Sequence, residues 1–121
     1  MSGCKSLLTI EERTRRIEEA VKEGHINPDL GTALLNSTLI HSQLHHAGNY
    51  IAVGNISEAI QNYEEAVHKL RSLRDYVEKA SLTPEQREAI IINLTDSFSS
   101  IYSSLSQHPS YTSEKDGERQ A

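Results

Sequence analysis

The chain of 121 residues is 36% hydrophobic and 24% charged, and its formal net charge is −5. This length fits one domain with a modest core. The acidic balance, without a basic stripe, argues against nonspecific binding to nucleic acid or to an anionic membrane. Cys4 is the only cysteine, which excludes an intramolecular disulfide and a cysteine zinc cage.

The amino-terminal residues show no complete secretion signal. Residues 1–26 lack the apolar run of about 7–15 residues that a signal peptide needs, and no stretch is apolar enough to span a membrane. The letters SGCK resemble the end of a bacterial lipoprotein signal with Cys4 as the lipidated residue, but the apolar segment before it is missing. The sequence leaves the location open between cytoplasm and cell exterior.

Capping signals predict a first helix over residues 10–23. Thr9, followed three residues later by Glu12, forms a capping box, and Gly24 is a suitable stop at the carboxyl end. The positions expected to face the interior are Ile10, Ile17, Ala20 and Val21.

The second helix is predicted from Pro28 to about Val53. Asn27 is its N-cap, and proline is tolerated at the first helical position because its missing N–H needs no partner there. Gly54 and Asn55 close the helix. Its apolar stripe consists of Leu30, Leu34, Ile40, Leu44, Ala47 and Ile51.

Two further helices follow with the same kind of start signal. Asn55 and Glu58 begin the third helix, whose apolar positions are Ile56, Ile60, Tyr63, Val67, Leu70, Leu73 and Val77. Thr83, Pro84 and Gln86 begin the fourth. Its apolar positions alternate in spacing between three and four, at Ile91, Leu94, Phe98, Ile101 and Leu105.

Four amphipathic helices with short connections favour an all-α fold, a four-helix antiparallel up-down bundle. The second and third helices, each about 25 residues and some 36 Å long, are expected to form its central hairpin. We expect the bundle domain to cover residues 9–106, after a flexible segment at 1–8. Residues 107–121 have no periodicity and are expected to be a disordered tail.

The stretch NYIAVGNISEAIQNYEEAV, residues 49–67, resembles one tetratricopeptide repeat. The matching positions are Tyr50, Gly54, Ala59, Tyr63 and Ala66. No second copy follows at the offset of about 34 residues that such an array requires. The spacing therefore indicates a tight helical hairpin and does not establish a peptide groove.

A second resemblance covers residues 17–94. The stretches IEEAVKEGHINPDLGTALLNSTL, GNISEAIQNYEEAVHKL and LTPEQREAI are similar to the FIMAH-type helical module of bacterial extracellular proteins. The matching positions are Gly24, Leu34, Leu35, Gly54, Ala59, Tyr63, Val67, Leu70 and Leu82. The resemblance implies a noncatalytic accessory bundle of secreted multidomain enzymes.

His41 and His45 stand one helical turn apart on the second helix, a spacing that lets two imidazoles bind one metal ion. No carboxylate lies within a turn of the pair, so further ligands would have to come from another helix or another chain. The favoured interpretation is exposed or capping histidines without a metal or cofactor.

The same histidines permit an alternative, since histidine phosphotransfer domains are also four-helix bundles. Their signature places Lys three and Gly four residues after the histidine, whereas His45 has Gly48 at three and no Lys. The serines between Ser97 and Ser106 line the polar side of the fourth helix, and no histidine or acid is placed in the sequence to activate any one of them.

The fourth helix also carries apolar residues that lie off its main stripe, namely Ile90, Ile92 and Tyr102. Ile92 lies about 100° from Ile91 around the helix, and one bundle interior is not expected to cover both side chains fully. The three residues off the main stripe therefore predict an interaction surface. The sequence thus favours a noncatalytic helical protein-interaction or accessory module, with a protein partner or self-association. The alternatives are phosphotransfer on His45 and a metal-responsive bundle using His41 and His45.

Overall fold

A computed structural model describes residues 9–108, which form four α-helices and no β-strand. They are α1 (Ile10–Lys22), α2 (Pro28–Ala52), α3 (Ile56–Lys79) and α4 (Pro84–Ser106). The predicted four-helix antiparallel up-down bundle is confirmed. The predicted flexible segment at 1–8, with Cys4, lies outside the described residues, as does the predicted tail from residue 109 onward.

The helix boundaries follow from the predicted caps. At the start of α1, Glu12 N donates to Thr9 Oγ1 (3.0 Å) while Thr9 N donates to Glu12 Oε1 (3.1 Å). The backbone N–H of Thr9 favours the charged carboxylate and lowers the pKa of Glu12. Thr83 begins α4 with the same reciprocal pair, and Asn27 caps α2. Capping of this kind satisfies N–H groups that have no partner within the helix.

The core lies between α2, α3 and α4. Helix α2 packs against α3 along the central hairpin, and α4 contacts both of them. Phe98 of α4 meets Tyr63 of α3 edge-to-face, with ring centroids 5.7 Å apart. The main buried cluster consists of Ala33, Ile40, Leu44, Ala66, Leu73, Val77, Ile90, Leu94 and Phe98. No helix in residues 9–108 is long and apolar enough to cross a bilayer.

Helix α1 is peripheral, and the prediction that Ile10 faces the interior is wrong. None of its residues is buried, and Ile10 is 36% exposed. The helix packs against α2, and Val21 lies so near Gly31 that a Cβ atom on Gly31 would collide with Val21 Cγ2. Helix α1 thus lies outside the three-helix core and packs mainly against α2.

Polar contacts fasten one end of the bundle. The carboxylate of Asp29, in the first turn of α2, accepts from Tyr76 Oη (3.2 Å) and from Ser81 N (2.7 Å). Asn27 Nδ2 donates to Ser81 O (3.3 Å). These bonds join the start of α2 to the connection between α3 and α4, and so they hold these helices in register at this end.

Candidate functional site

A recess between α2 and α4 is left open because α1 is short. Helix α1 has 13 residues against 25 in α2, or about 20 Å against about 38 Å of helix axis. With Val21 beside Gly31, α1 covers the first part of α2. Beyond it lies the α2–α4 recess, about 280 Å³ in volume, which is lined by His41, Leu44, His45, Ser97, Ser100 and Ile101.

The fold brings both candidate metal ligands to this recess and adds a serine that is distant in the sequence. Ser97 Oγ lies 3.2 Å from His41 Nδ1, although the residues are 56 positions apart. Ser97 Oγ also donates to Asn93 O (3.3 Å) within α4. Which of Ser97 Oγ and His41 Nδ1 donates depends on the tautomer of His41. Because a hydroxyl carries one hydrogen and Ser97 donates it to Asn93 O, the tautomer with Nδ1–H is the one that fits both contacts. That arrangement leaves His41 Nε2 with its lone pair free.

His41 departs from the expectation of an exposed or capping histidine. Its side chain is half-buried, whereas His45 is exposed. Burial lowers the pKa of His41, and the positive charge of Arg13 on α1 lowers this pKa further. Both effects favour the neutral imidazole, which is the form that binds a metal or accepts a hydrogen bond.

The Ser97–His41 contact lacks a feature that nucleophilic catalysis requires. A serine nucleophile needs donors for the oxyanion that develops on its substrate. Ser97 lies in the middle of α4, where backbone N–H groups donate to carbonyls one turn earlier. The contact therefore orients the imidazole.

Phosphotransfer on His45 finds no cation among the residues that line the recess; Arg13, whose charge acts on His41, is not one of them. Of its six lining residues none is lysine or arginine, and a charged donor is what stabilises a transferred phosphoryl group. This alternative stays a prediction, and nothing in the recess favours it.

The predicted surface on α4 is only partly exposed. Ile92 and Tyr102 are 48% and 49% exposed, as expected. The prediction that Ile90 belongs to this surface is wrong, because Ile90 is 6% exposed and belongs to the core. Helix α4 lies between two neighbours, so its buried arc is wide enough to include both Ile90 and part of Ile91. Ile92 and Tyr102 are about 15 Å apart along the axis and do not form one strip.

Ile92 lies on a separate concavity, the α3–α4 groove. Its volume is about 650 Å³. The floor is continuous with the core, since Val77 is buried and Ile91 packs against the buried cluster. The lining residues are Arg74, Val77, Glu78, Pro84, Arg87, Glu88, Ile91 and Ile92.

Comparison with family models, with curated proteins and with solved structures finds no match to this chain. The resemblances to the FIMAH-type module and to a tetratricopeptide hairpin therefore stay predictions.

Sequence reasoning missed Ser97 and Arg13 as neighbours of His41. A signal for Ser97 was present, because it follows Leu94 by three residues and precedes Ile101 by four. That spacing puts it on the inward face of α4 rather than on the polar side. The sequence contains no signal that places Arg13 near His41, because the position of Arg13 depends on how the peripheral helix α1 packs against α2.

Proposed function

We propose that the chain is a noncatalytic helical protein-interaction module and that the α3–α4 groove is its binding surface. The observation that carries the proposal is Ile92, which is 48% exposed on a groove with an apolar floor. An apolar side chain on a concave surface gains free energy when a partner covers it. The groove also lies at the end of the bundle that Asp29 fastens, so its walls are held in place.

The charges around the groove favour a second copy of the chain as the partner. Arg74 and Arg87 line it together with Glu78 and Glu88, and in the described part of the chain none of these four residues forms an ion pair. A surface that carries both signs is complementary to itself. In a dimer with a two-fold axis, each arginine can face a glutamate of the other copy.

Such a dimer is expected to be weak. A stable interface buries at least about 1,000 Å² in total, and this groove offers one exposed isoleucine as its apolar anchor. The net charge of −5 per chain adds repulsion between copies at low ionic strength. Self-association should therefore depend on concentration.

Sedimentation velocity over a range of concentrations tests the proposal. We expect the wild type to shift towards dimer as its concentration rises, and Ile92→Glu to stay monomeric because the new carboxylate would be buried in the interface. Val53→Glu is the matched control, since Val53 is 77% exposed at the other end of the bundle. It should dimerise like the wild type.

Circular dichroism separates loss of binding from loss of fold. Ile92→Glu should keep the helical spectrum and melting temperature of the wild type, because Ile92 is outside the core. A wild type that stays monomeric at all concentrations would overturn self-association through this groove. Equal dimerisation of the wild type and Ile92→Glu would place the interface elsewhere and would equally refute the groove as the binding surface.

A further inference from the structure

We propose that His41 and His45 bind a divalent zinc ion in the α2–α4 recess. Residues four apart on a helix lie on the same face, with Cβ atoms about 5–6 Å apart, and both imidazoles line this one recess. Neutral imidazole is a preferred ligand of zinc. The site is separate from the α3–α4 groove and does not depend on the function proposed for it.

The hydrogen bond from His41 to Ser97 provides the orientation that a metal ligand needs. Histidine ligands usually donate their second ring N–H to an oxygen atom, which fixes the tautomer and the ring. Here Ser97 Oγ lies 3.2 Å from Nδ1 and is itself bonded to Asn93 O. In the tautomer that donates from Nδ1 to Ser97, the lone pair of His41 is on Nε2. Ser97 is thus a positioning residue for the zinc ligand.

Two protein ligands imply a weak and exchangeable site. In residues 9–108, no group of three or more His, Cys, Asp and Glu side chains is placed to hold a metal ion. Water molecules must complete the coordination, in contrast to the closed four-ligand sites that hold structural zinc. The positive charge of Arg13, which acts on His41, repels the zinc ion and weakens its binding further.

Isothermal titration of zinc into the untagged chain tests the proposal. The measurements use a Cys4→Ser background, because a free thiolate binds zinc on its own. We expect one zinc per chain, and loss of this binding in both His41→Ala and His45→Ala. His68→Ala is the control, since His68 is exposed on α3 away from the recess, and it should bind zinc like the parent chain.

Two further variants test the positioning role and the charge. Ser97→Ala should weaken zinc affinity about tenfold or more, whereas Ser97→Thr, which keeps the hydroxyl, should restore it. Arg13→Gln should strengthen binding. His45 is exposed, so His45→Ala should fold normally. This variant therefore tests zinc binding even if His41→Ala fails to fold.

The proposal is overturned if the parent chain binds zinc no better than His45→Ala. A stoichiometry of one zinc per two chains would also overturn it, since the ion would then be held between copies. Unchanged affinity in Ser97→Ala would remove the positioning role of Ser97. Nitrogen-15 spectra of the imidazoles give an independent readout, because zinc should shift His41 Nε2 and leave Nδ1 protonated.

Discussion

Gly54 adopts φ = +81° where the chain leaves α2. A Cβ atom there would meet no other atom within 4 Å, so an alanine side chain suffers from the backbone conformation alone. We expect Gly54→Ala to lower the free energy of unfolding by about 1 kcal/mol, measured by urea denaturation.

Gly48 provides the opposite control for Gly54. It lies inside α2, and an added Cβ would stand 3.4 Å from Ile101 Cδ1, an ordinary contact distance. Alanine is favoured over glycine in a helix interior by about 1 kcal/mol, so Gly48→Ala should not destabilise the protein. Higher stability of Gly54→Ala would contradict the assigned corner between α2 and α3.

The position of helix α1 on α2 depends on the close contact between Val21 and Gly31. The collision of a Cβ atom at position 31 with Val21 Cγ2 means that Gly31→Ala requires the side chain of Val21 to shift, and we expect α1 to shift with it because valine is restricted in its rotamers in a helix. Because no residue of α1 is buried, we expect the loss to stay local. Amide exchange should lose protection in α1, while the amides of α3 and α4 keep theirs.

A double variant provides the control for this prediction. Val21→Ala removes the methyl groups that an alanine at position 31 would strike, so Gly31→Ala with Val21→Ala should regain protection in α1. Global unfolding of Gly31→Ala, or no change in the exchange of α1, would show that this contact does not hold the helix.

Much of the secondary structure could be predicted, because start signals act locally. Thr9, Asn27 and Thr83 each cap the backbone three residues on, and such signals need no knowledge of tertiary structure. The degree of burial could not be predicted in the same way. The exposure of Ile10 and the burial of Ile90 depend on how many neighbours each helix has, which periodicity does not contain.

The candidate sites of the molecule also combine local contacts, which the sequence predicts, with contacts between helices, which it does not. The pairing of His41 with His45 is local and visible in the sequence, since it needs only the helical repeat. The contact of His41 with Ser97 joins α2 to α4 across 56 positions. It depends on the register between two helices, which the bonds of Asp29 to Tyr76 and Ser81 help to set at the far end.

Helix α4 takes part in both proposed sites, but with different sides. Ser97 faces the recess with α2, and Ile92 faces the groove with α3; five residues separate them, or about 140° around the helix axis. A well-packed helix held between two neighbours transmits little between such sides unless it moves as a body. We therefore expect zinc binding and self-association to be independent of each other.

Linkage makes this independence measurable from both directions. At an ionic strength that screens the net charge of the chains, saturating zinc should leave the dimer dissociation constant unchanged in sedimentation. Ile92→Glu should bind zinc as tightly as the dimeric wild type, because coupling between two binding equilibria is reciprocal. A change greater than about threefold, or roughly 0.7 kcal/mol, would contradict independence.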